Sequence, residues 1–278
     1  MSAATVEAPS GKDRADENFP VGSALIRRSL RPHVHAFYAF ARQADDVADH
    51  EALSPEEKIE RLDRMEEVLL GAPGADAPSA ARLRRSLAET GVTPRHSQDL
   101  LAAFRQDAAK RRYASWDELL DYCRLSAMPV GRHVLDLHGE RPTEAYAPSD
   151  PLCAALQVLN HVQDLAGDLA RLDRCYVPLD LLRAEGARVD QLAGPRLTPA
   201  LRRVVDQVLD RADALNQEGA ALPRAVRDRR LRAECAVISN LARRLAARLR
   251  REDPLAGRVR LRRGDVAGSV LRALGWLA

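Results

Sequence analysis

In FYAFARQADDVADH, Tyr38, Arg42, Asp45 and Asp49 recur at spacings of three and four, and about 110 residues later Gln157, Asn160, Asp164 and Asp168 do the same in QVLNHVQDLAGD. A helix turns about 100° per residue, so each set lies along one side of one helix. The residues around the first set are apolar or aromatic (Val34, Phe37, Phe40, Ala41, Val47), which predicts an interior helix. An interior row of carboxylates is costly unless it is paired or metal-bound. Two such rows make sense facing each other across a helical bundle, where their oxygens could hold hard divalent cations and, through them, a diphosphate.

The rest of the chain agrees with a bundle. Apolar residues make up 46% of the 278 but aromatic residues only 4%, so Ala, Leu and Val must do most of the packing. That favours helices, since β-rich cores lean on aromatic and β-branched residues. No Val/Ile/Thr alternation, internal repeat or break in composition suggests a sheet or a second domain. The expected fold class is all-α, a single helical bundle with a central cavity over residues 17–278, preceded by a polar, disordered tail over residues 1–16. One helix should start near Arg31-Pro32 and run past Asp49. Another, capped by Ser54 with Glu56 and Glu57 in its first turn, should end at Gly71. Further helices are expected over 77–90, 94–112, 116–139, 149–171, 198–220, 224–250 and 264–276, with loops over Gly139–Pro148 and Gly186–Pro199.

Several function classes fall away. With 43 basic and 40 acidic residues the net charge is only +3, and no basic excess argues for nucleic acid. Cys123, Cys153, Cys175 and Cys235 form no CxxC pair and read as idle thiols in a reducing compartment. The N-terminus lacks the apolar core of a secretory signal, and no run of eighteen apolar residues occurs. A cytoplasmic protein is expected, soluble or peripheral to the inner face of the membrane. Arg258–Ala278 alternates basic and apolar residues. It reads either as a helix capping the bundle or as a stretch that touches the membrane surface.

Within the stripes, Asp45 and Asp49 can reach one cation, whereas Asp46 lies about 100° round the helix and reads as a supporting or solvent-facing group. Arg42 can pair with phosphate oxygens or neutralise the aspartates beside it. Tyr38 can donate to a phosphate or pack as a core tyrosine. Asn160, Asp164 and Asp168 stack along the second helix, with Gln157 one turn earlier, and so many oxygen donors suit Mg2+ better than zinc. His161 reads as structural. Arg171 and Arg174 could clamp the far end of a diphosphate or complement a helix C-terminus. Two other classes fit the stripes less well. A di-iron bundle needs Glu-x-x-His pairs that both stripes lack, and a non-catalytic helical scaffold has no use for the ligand set.

YAFARQADDVAD and QVLNHVQDLAGD resemble the signatures of the head-to-head trans-isoprenyl diphosphate synthases, the squalene and phytoene synthase family, and the resemblance spans nearly all of the chain from Asn18 onward. ENFPVGS, YCRLSAMPVGR (122–132) and Gln163 within NHVQD are most similar to its bacterial hydroxysqualene synthase branch, which serves the three-enzyme route to squalene and hopanoids. The resemblance implies an isoprenoid synthase fold. It implies metal binding by Asp45, Asp49, Asn160, Asp164 and Asp168, and diphosphate binding by Arg42. Tyr38 and Gln157 would line the cavity, and Tyr122, Ala127, Val130 and Gly131 would wall a prenyl tunnel. Asn18 stands where the family carries a serine, and Asp253 where many members carry a tyrosine. The segment between Asp168 and Tyr176 is one residue longer than usual, which bears on substrate contacts by Arg171, Arg174 and Tyr176. The implied reaction is Mg-assisted ionisation of presqualene diphosphate and capture by water, giving hydroxysqualene and diphosphate. The alternative is coupling of two farnesyl diphosphates to presqualene diphosphate, or phytoene-type coupling. No nicotinamide cofactor is expected, since no strand, glycine loop and helix unit for a dinucleotide is found.

Overall fold

The computed structural model describes residues 5–7 and 25–277, so Asn18 and most of the expected N-terminal tail lie outside the described residues. Of that tail, Val6 donates its amide to Asp76 O (2.9 Å) and Glu7 accepts from the Ser79 amide (2.7 Å). Among the described residues there is no strand, only an isolated bridge between Arg112 and Cys175. The all-α expectation therefore holds.

Thirteen α-helices are described: α1 (Arg31–Ala48), α2 (Pro55–Leu70), α3 (Pro78–Thr90), α4 (Arg95–Ala109), α5 (Trp116–Ser126), α6 (Met128–Leu137), α7 (Pro142–Gln163), α8 (Leu165–Leu172), α9 (Leu179–Ala184), α10 (Pro199–Glu218), α11 (Leu222–Ala225), α12 (Arg229–Leu249) and α13 (Arg263–Ala273). Ser54 and Glu57 form the reciprocal cap at the start of α2. Gly91, at φ 72°, ends α3 in the left-handed region that glycine enters without a Cβ penalty. Helices α1 to α4 and α6 bury one apolar cluster around Phe40, Leu62 and Leu101. Helices α5, α7, α10 and α12 bury a second around Leu159, Leu201 and Leu245. The gap between these two groups is where α1 faces α7 and α8.

The helix expected over 224–250 is interrupted at residues 226–228, where α11 ends and Asp228 caps α12, and three further local expectations need correcting. The helix expected over 116–139 is broken at Ala127 (φ −124°, ψ −48°). Pro129 has no amide to bond back to Leu125 and disfavours a helical residue before it, so a new helix starts there. Conversely, α7 begins at Pro142 and runs through Pro148 and Pro151, so the expected loop shrinks to residues 139–141. The second stripe does not ride on one helix. Asp164, at φ −102° and ψ 11°, is the joint between α7 and α8. Its amide still donates to Asn160 O (3.0 Å) and the Asp168 amide to Asp164 O (2.8 Å), so the four-residue spacing survives and all three oxygens keep one side.

Candidate active site

A cavity of about 450 Å³ lies between the stripes, and every stripe residue lines it: Tyr38, Arg42, Asp45 and Asp49 from α1, and Gln157, Asn160, Asp164 and Asp168 from α7 and α8. Arg42 stands over its own row, with Nη1 3.1 Å from Asp45 Oδ2 and Nη2 donating to Asp46 Oδ1 at 2.6 Å. Asp46 is buried and holds Arg42 from behind, out of the cavity. Arg174, in the segment after α8, crosses to α1 and donates to Asp49 Oδ1 at 2.9 Å.

Two residues central to this geometry were missed by sequence reasoning. Asp107 of α4 is 3% exposed and accepts from the hydroxyls of Tyr122 (2.6 Å) and Tyr176 (3.0 Å). Arg174 donates to its backbone oxygen at 2.9 Å. A signal was present: Asp107 falls on the apolar side of α4, one turn beyond Ala103 and Phe104 and two beyond Leu100. Arg258 comes from the loop between α12 and α13 and pairs with Asp164 (Nε to Oδ1 2.9 Å). Nothing local marks it among the many arginines of that stretch. Its neighbour Val259 accepts from buried Gln163 Nε2 at 2.5 Å, which fastens the loop to the end of α7.

The remaining expected residues scatter. Tyr122 and Tyr176 face the polar cavity and the Asp107 network. Arg171 turns outward towards Glu51 (3.4 Å) and does not line the cavity. Ala127 is buried at the break between α5 and α6. Val130 and Gly131 line a second, mostly apolar chamber of about 340 Å³, together with Phe37, Leu152, Leu156 and Ile238. Tyr38 and Ala41 line both spaces, so the two meet at the first stripe. His161 stacks on the Tyr176 ring (centroids 3.5 Å apart) and its Nε2 has no hydrogen-bond partner among the described residues.

The electrostatics favour cations. Asp45, Asp49, Asp107, Asp164 and Asp168 crowd the cavity against Arg42, Arg174 and Arg258. Burial, and then the Asp49 charge, push the Asp45 carboxyl up to about 8. Burial, with Asp164 and Asp49 nearby, pushes Asp168 up to about 7. Burial also raises Asp107 to about 6, while Arg174 pulls the other way. Burial and the Arg174 charge drive His161 down to about 3, so it stays neutral. Such raised carboxyls mark a site that gains by taking up positive charge. The donor set is oxygen-rich, as magnesium requires. Among the described residues no three His, Cys, Asp or Glu groups converge closely enough to hold an ion by themselves. Magnesium is commonly held by one or two carboxylates, with substrate phosphate oxygens and water completing the octahedron, and carboxylates ranged on two sides of a cavity suit that arrangement.

The sequence model described as squalene/phytoene synthase matches residues 12–265. The hydroxysqualene synthase of Rhodopseudomonas palustris is 47% identical over 256 residues, covering 92% of this chain and 87% of that protein. Its counterpart from Zymomonas mobilis is 41% identical over 261 residues, covering 93% and 87%. The crystal structure of squalene synthase HpnC from Alicyclobacillus acidocaldarius is similar with a TM-score of 0.75 at 38% identity, covering 86% of this chain and 90% of that one. A dehydrosqualene synthase in complex with ligand reaches a TM-score of 0.80 at 19% identity, over 94% of this chain and 92% of that one, a likeness of fold alone.

Proposed function

This chain belongs to the squalene/phytoene synthase family, and from that premise we propose that it converts presqualene diphosphate and water to hydroxysqualene and diphosphate. The observation that carries the reading is the junction at Tyr38 and Ala41, where an aspartate-lined cavity opens into an apolar chamber. A lipid diphosphate needs both halves. The charged end requires cations and arginines, and the hydrocarbon requires a dry wall. The hydroxysqualene synthases at 41–47% identity favour this partial reaction within the family.

In this reading Arg42 and Arg258 bind diphosphate oxygens, each already held in place by an aspartate. Asp45, Asp49, Asn160, Asp164 and Asp168 would hold magnesium, which when bound would supply the electrophilic pull that loosens the carbon–oxygen bond. Arg174 holds Asp49 and Asp107 in position from beneath the site. The apolar chamber keeps bulk water from the cation formed on ionisation. Tyr38 stands at the boundary between charge and hydrocarbon.

Product analysis by mass spectrometry after incubation with presqualene diphosphate, with and without magnesium, tests the proposal. Hydroxysqualene formed only with the metal is expected. Turnover of farnesyl diphosphate with none of presqualene diphosphate overturns it in favour of the coupling reaction.

Among the described residues no helix is long and apolar enough to cross a membrane. Helix α13 buries Ser269 and Ala273, the latter packed against α12, but exposes Val266, Val270 and Leu271, with Leu271 68% exposed, and Leu274 just past its end is exposed too. Arg260, Arg262, Arg263 and Arg272 are exposed in the same stretch of chain. Such a surface suits peripheral contact with anionic lipid. Flotation of the chain with anionic liposomes, abolished by Leu271→Glu with Leu274→Glu, is expected. Equal flotation of the double variant removes the contact.

A further inference from the structure

Close to Asp49 two cations stand without an ion pair. Lys58, in the first turn of α2, is 5% exposed. Arg111, just past the end of α4, is half-buried. Among the described residues neither side chain makes an ion pair or a hydrogen bond. The basic residues on either side of Arg111 are both engaged, Lys110 with Glu118 and Arg112 with Asp173. A buried cation without a counter-ion is costly, and two held close together repel each other as well.

The fold brings these two residues together beside the polar cavity. Helices α2 and α4 run antiparallel, with Asp63 on Arg105 (2.7 Å) and Glu66 on Gln98 (2.8 Å). Lys58 precedes Asp63 by about as many residues as Arg111 follows Arg105, so the two lie at the same level. The Arg111 carbonyl accepts from the Cys175 amide at 2.9 Å, which sets Arg111 beside Arg174. Arg174 in turn donates to Asp49 at 2.9 Å. Burial, then the charges of Arg111 and Arg174, hold the Lys58 amine below its ordinary value, while Asp49 pulls the other way. Three cations therefore gather near Asp49. Arg174 is committed to Asp49 and Asp107, and Lys58 and Arg111 are not. Neither of them lines the cavity, whereas Asp49 and Arg174 do. Their nitrogen atoms are not sealed in as Arg174 Nε is, so a ligand from solvent can reach them.

We propose that Lys58 and Arg111 form a second anion site, adjoining the aspartate-lined cavity across Asp49 and Arg174, and that it holds inorganic diphosphate. An ammonium and a guanidinium supply charge-assisted donors suited to phosphoryl oxygens. Neither residue lines the apolar chamber, so the site matches a free phosphoryl anion rather than one that carries a hydrocarbon. The choice of diphosphate rests on the reading of the cavity as the place where that anion is released. Its departure from the cavity then leads past Asp49 to a waiting pair of cations, and binding there makes and breaks no covalent bond.

Calorimetric titration of the full chain with sodium diphosphate in EDTA tests the site. Without metal the cavity's aspartates outnumber its arginines, so it has little attraction for an anion and binding reports the second site. The wild type and Lys58→Arg are expected to bind. Lys58→Met and Arg111→Gln are each expected to bind about tenfold more weakly or worse, the effect of losing one charged donor. Lys58→Met keeps the length of the side chain and removes an unpaired buried charge, so it is expected to melt no lower than the wild type, and diphosphate is expected to raise the Tm of the wild type but not of this variant. No metal-free binding by the wild type overturns the proposal, as does equal binding by the wild type, Lys58→Met and Arg111→Gln. These readouts involve no turnover. Failure of the hydroxysqualene reading shows instead as absence of diphosphate release from presqualene diphosphate and magnesium, so the two failures are told apart.

Discussion

Arg174 donates through Nη1 to Asp49 Oδ1 at 2.9 Å, joining residues 125 positions apart and tying the segment after α8 to the C-terminal end of α1. The same guanidinium donates to Asp107 O at 2.9 Å and lies 3.8 Å from its carboxylate, with 4% of its side chain exposed. One cation thus pins three elements beneath the cavity. Removing it strands Asp49 and Asp107. Arg174→Met is expected to lose about 3–5 kcal/mol of stability, as for a broken buried pair. Denaturant titration checks this, and a loss under about 1 kcal/mol contradicts the pinning role.

Arg258 makes the opposite case. Its pair with Asp164 is more than a third exposed on both sides, so it contributes little to folding. Arg258→Gln is expected to leave Tm nearly unchanged yet slow diphosphate release by about tenfold or more, the effect of removing one charge-stabilising donor. Parallel melting curves and phosphate assays decide between this and a purely structural role.

Asp168 carries a different balance. Its carboxyl is raised by burial and by Asp164 and Asp49, so without metal its charge works against the fold. Asp168→Asn is expected to melt no lower than the wild type in EDTA, to gain less from added magnesium, and to lose magnesium-dependent diphosphate release. A variant as responsive to magnesium as the wild type, in both melting and turnover, removes Asp168 from the ligand set.

Gly131 lines the apolar chamber where α6 crosses α7. A Cβ there would meet Cys153 Sγ and Ser149 Oγ at 2.5 Å. Gly131→Ala is expected to cost about 1–3 kcal/mol through overpacking and to raise KM for the lipid substrate by narrowing its chamber. Unchanged stability and KM together would place the lipid elsewhere.

His133 sets an acid limit. Its ring stacks on Phe37 (centroids 3.8 Å apart), and neither nitrogen has a partner among the described residues. Burial, then the nearby His96, lowers it to about 3 from 6.5. Above pH 6.5 the folded and unfolded chains both hold it neutral, and it contributes no pH dependence. Below that the unfolded chain protonates first, so stability falls towards pH 3 by up to about 1.4 kcal/mol per pH unit. His133→Leu is expected to flatten this slope between pH 6 and 4. An identical slope in the variant assigns the acid sensitivity to other groups.

Both stripes were legible in the chain because a helix returns to the same side every three or four residues, and Tyr38, Arg42, Asp45 and Asp49 depend on nothing more. The second stripe was legible for a reason that only partly holds. Asp164 breaks the helix, but hydrogen bonds at both of its ends keep the four-residue rhythm. Asp107 and Arg258 were not found. One is a lone acid on an otherwise ordinary helix. The other is one arginine among many, in a loop whose path depends on the bond from Gln163 to Val259.

Local chemistry by itself determined the helices, their caps and the two oxygen-lined sides, because periodicity, proline and capping act within a few residues. Only the tertiary structure decided that those sides share one cavity, that Arg174 rather than Arg171 turns into it, and that an apolar chamber opens beside Tyr38. Those outcomes depend on helices packed from distant parts of the chain, and the burial and charge pairing that settle them exist only once the bundle has closed.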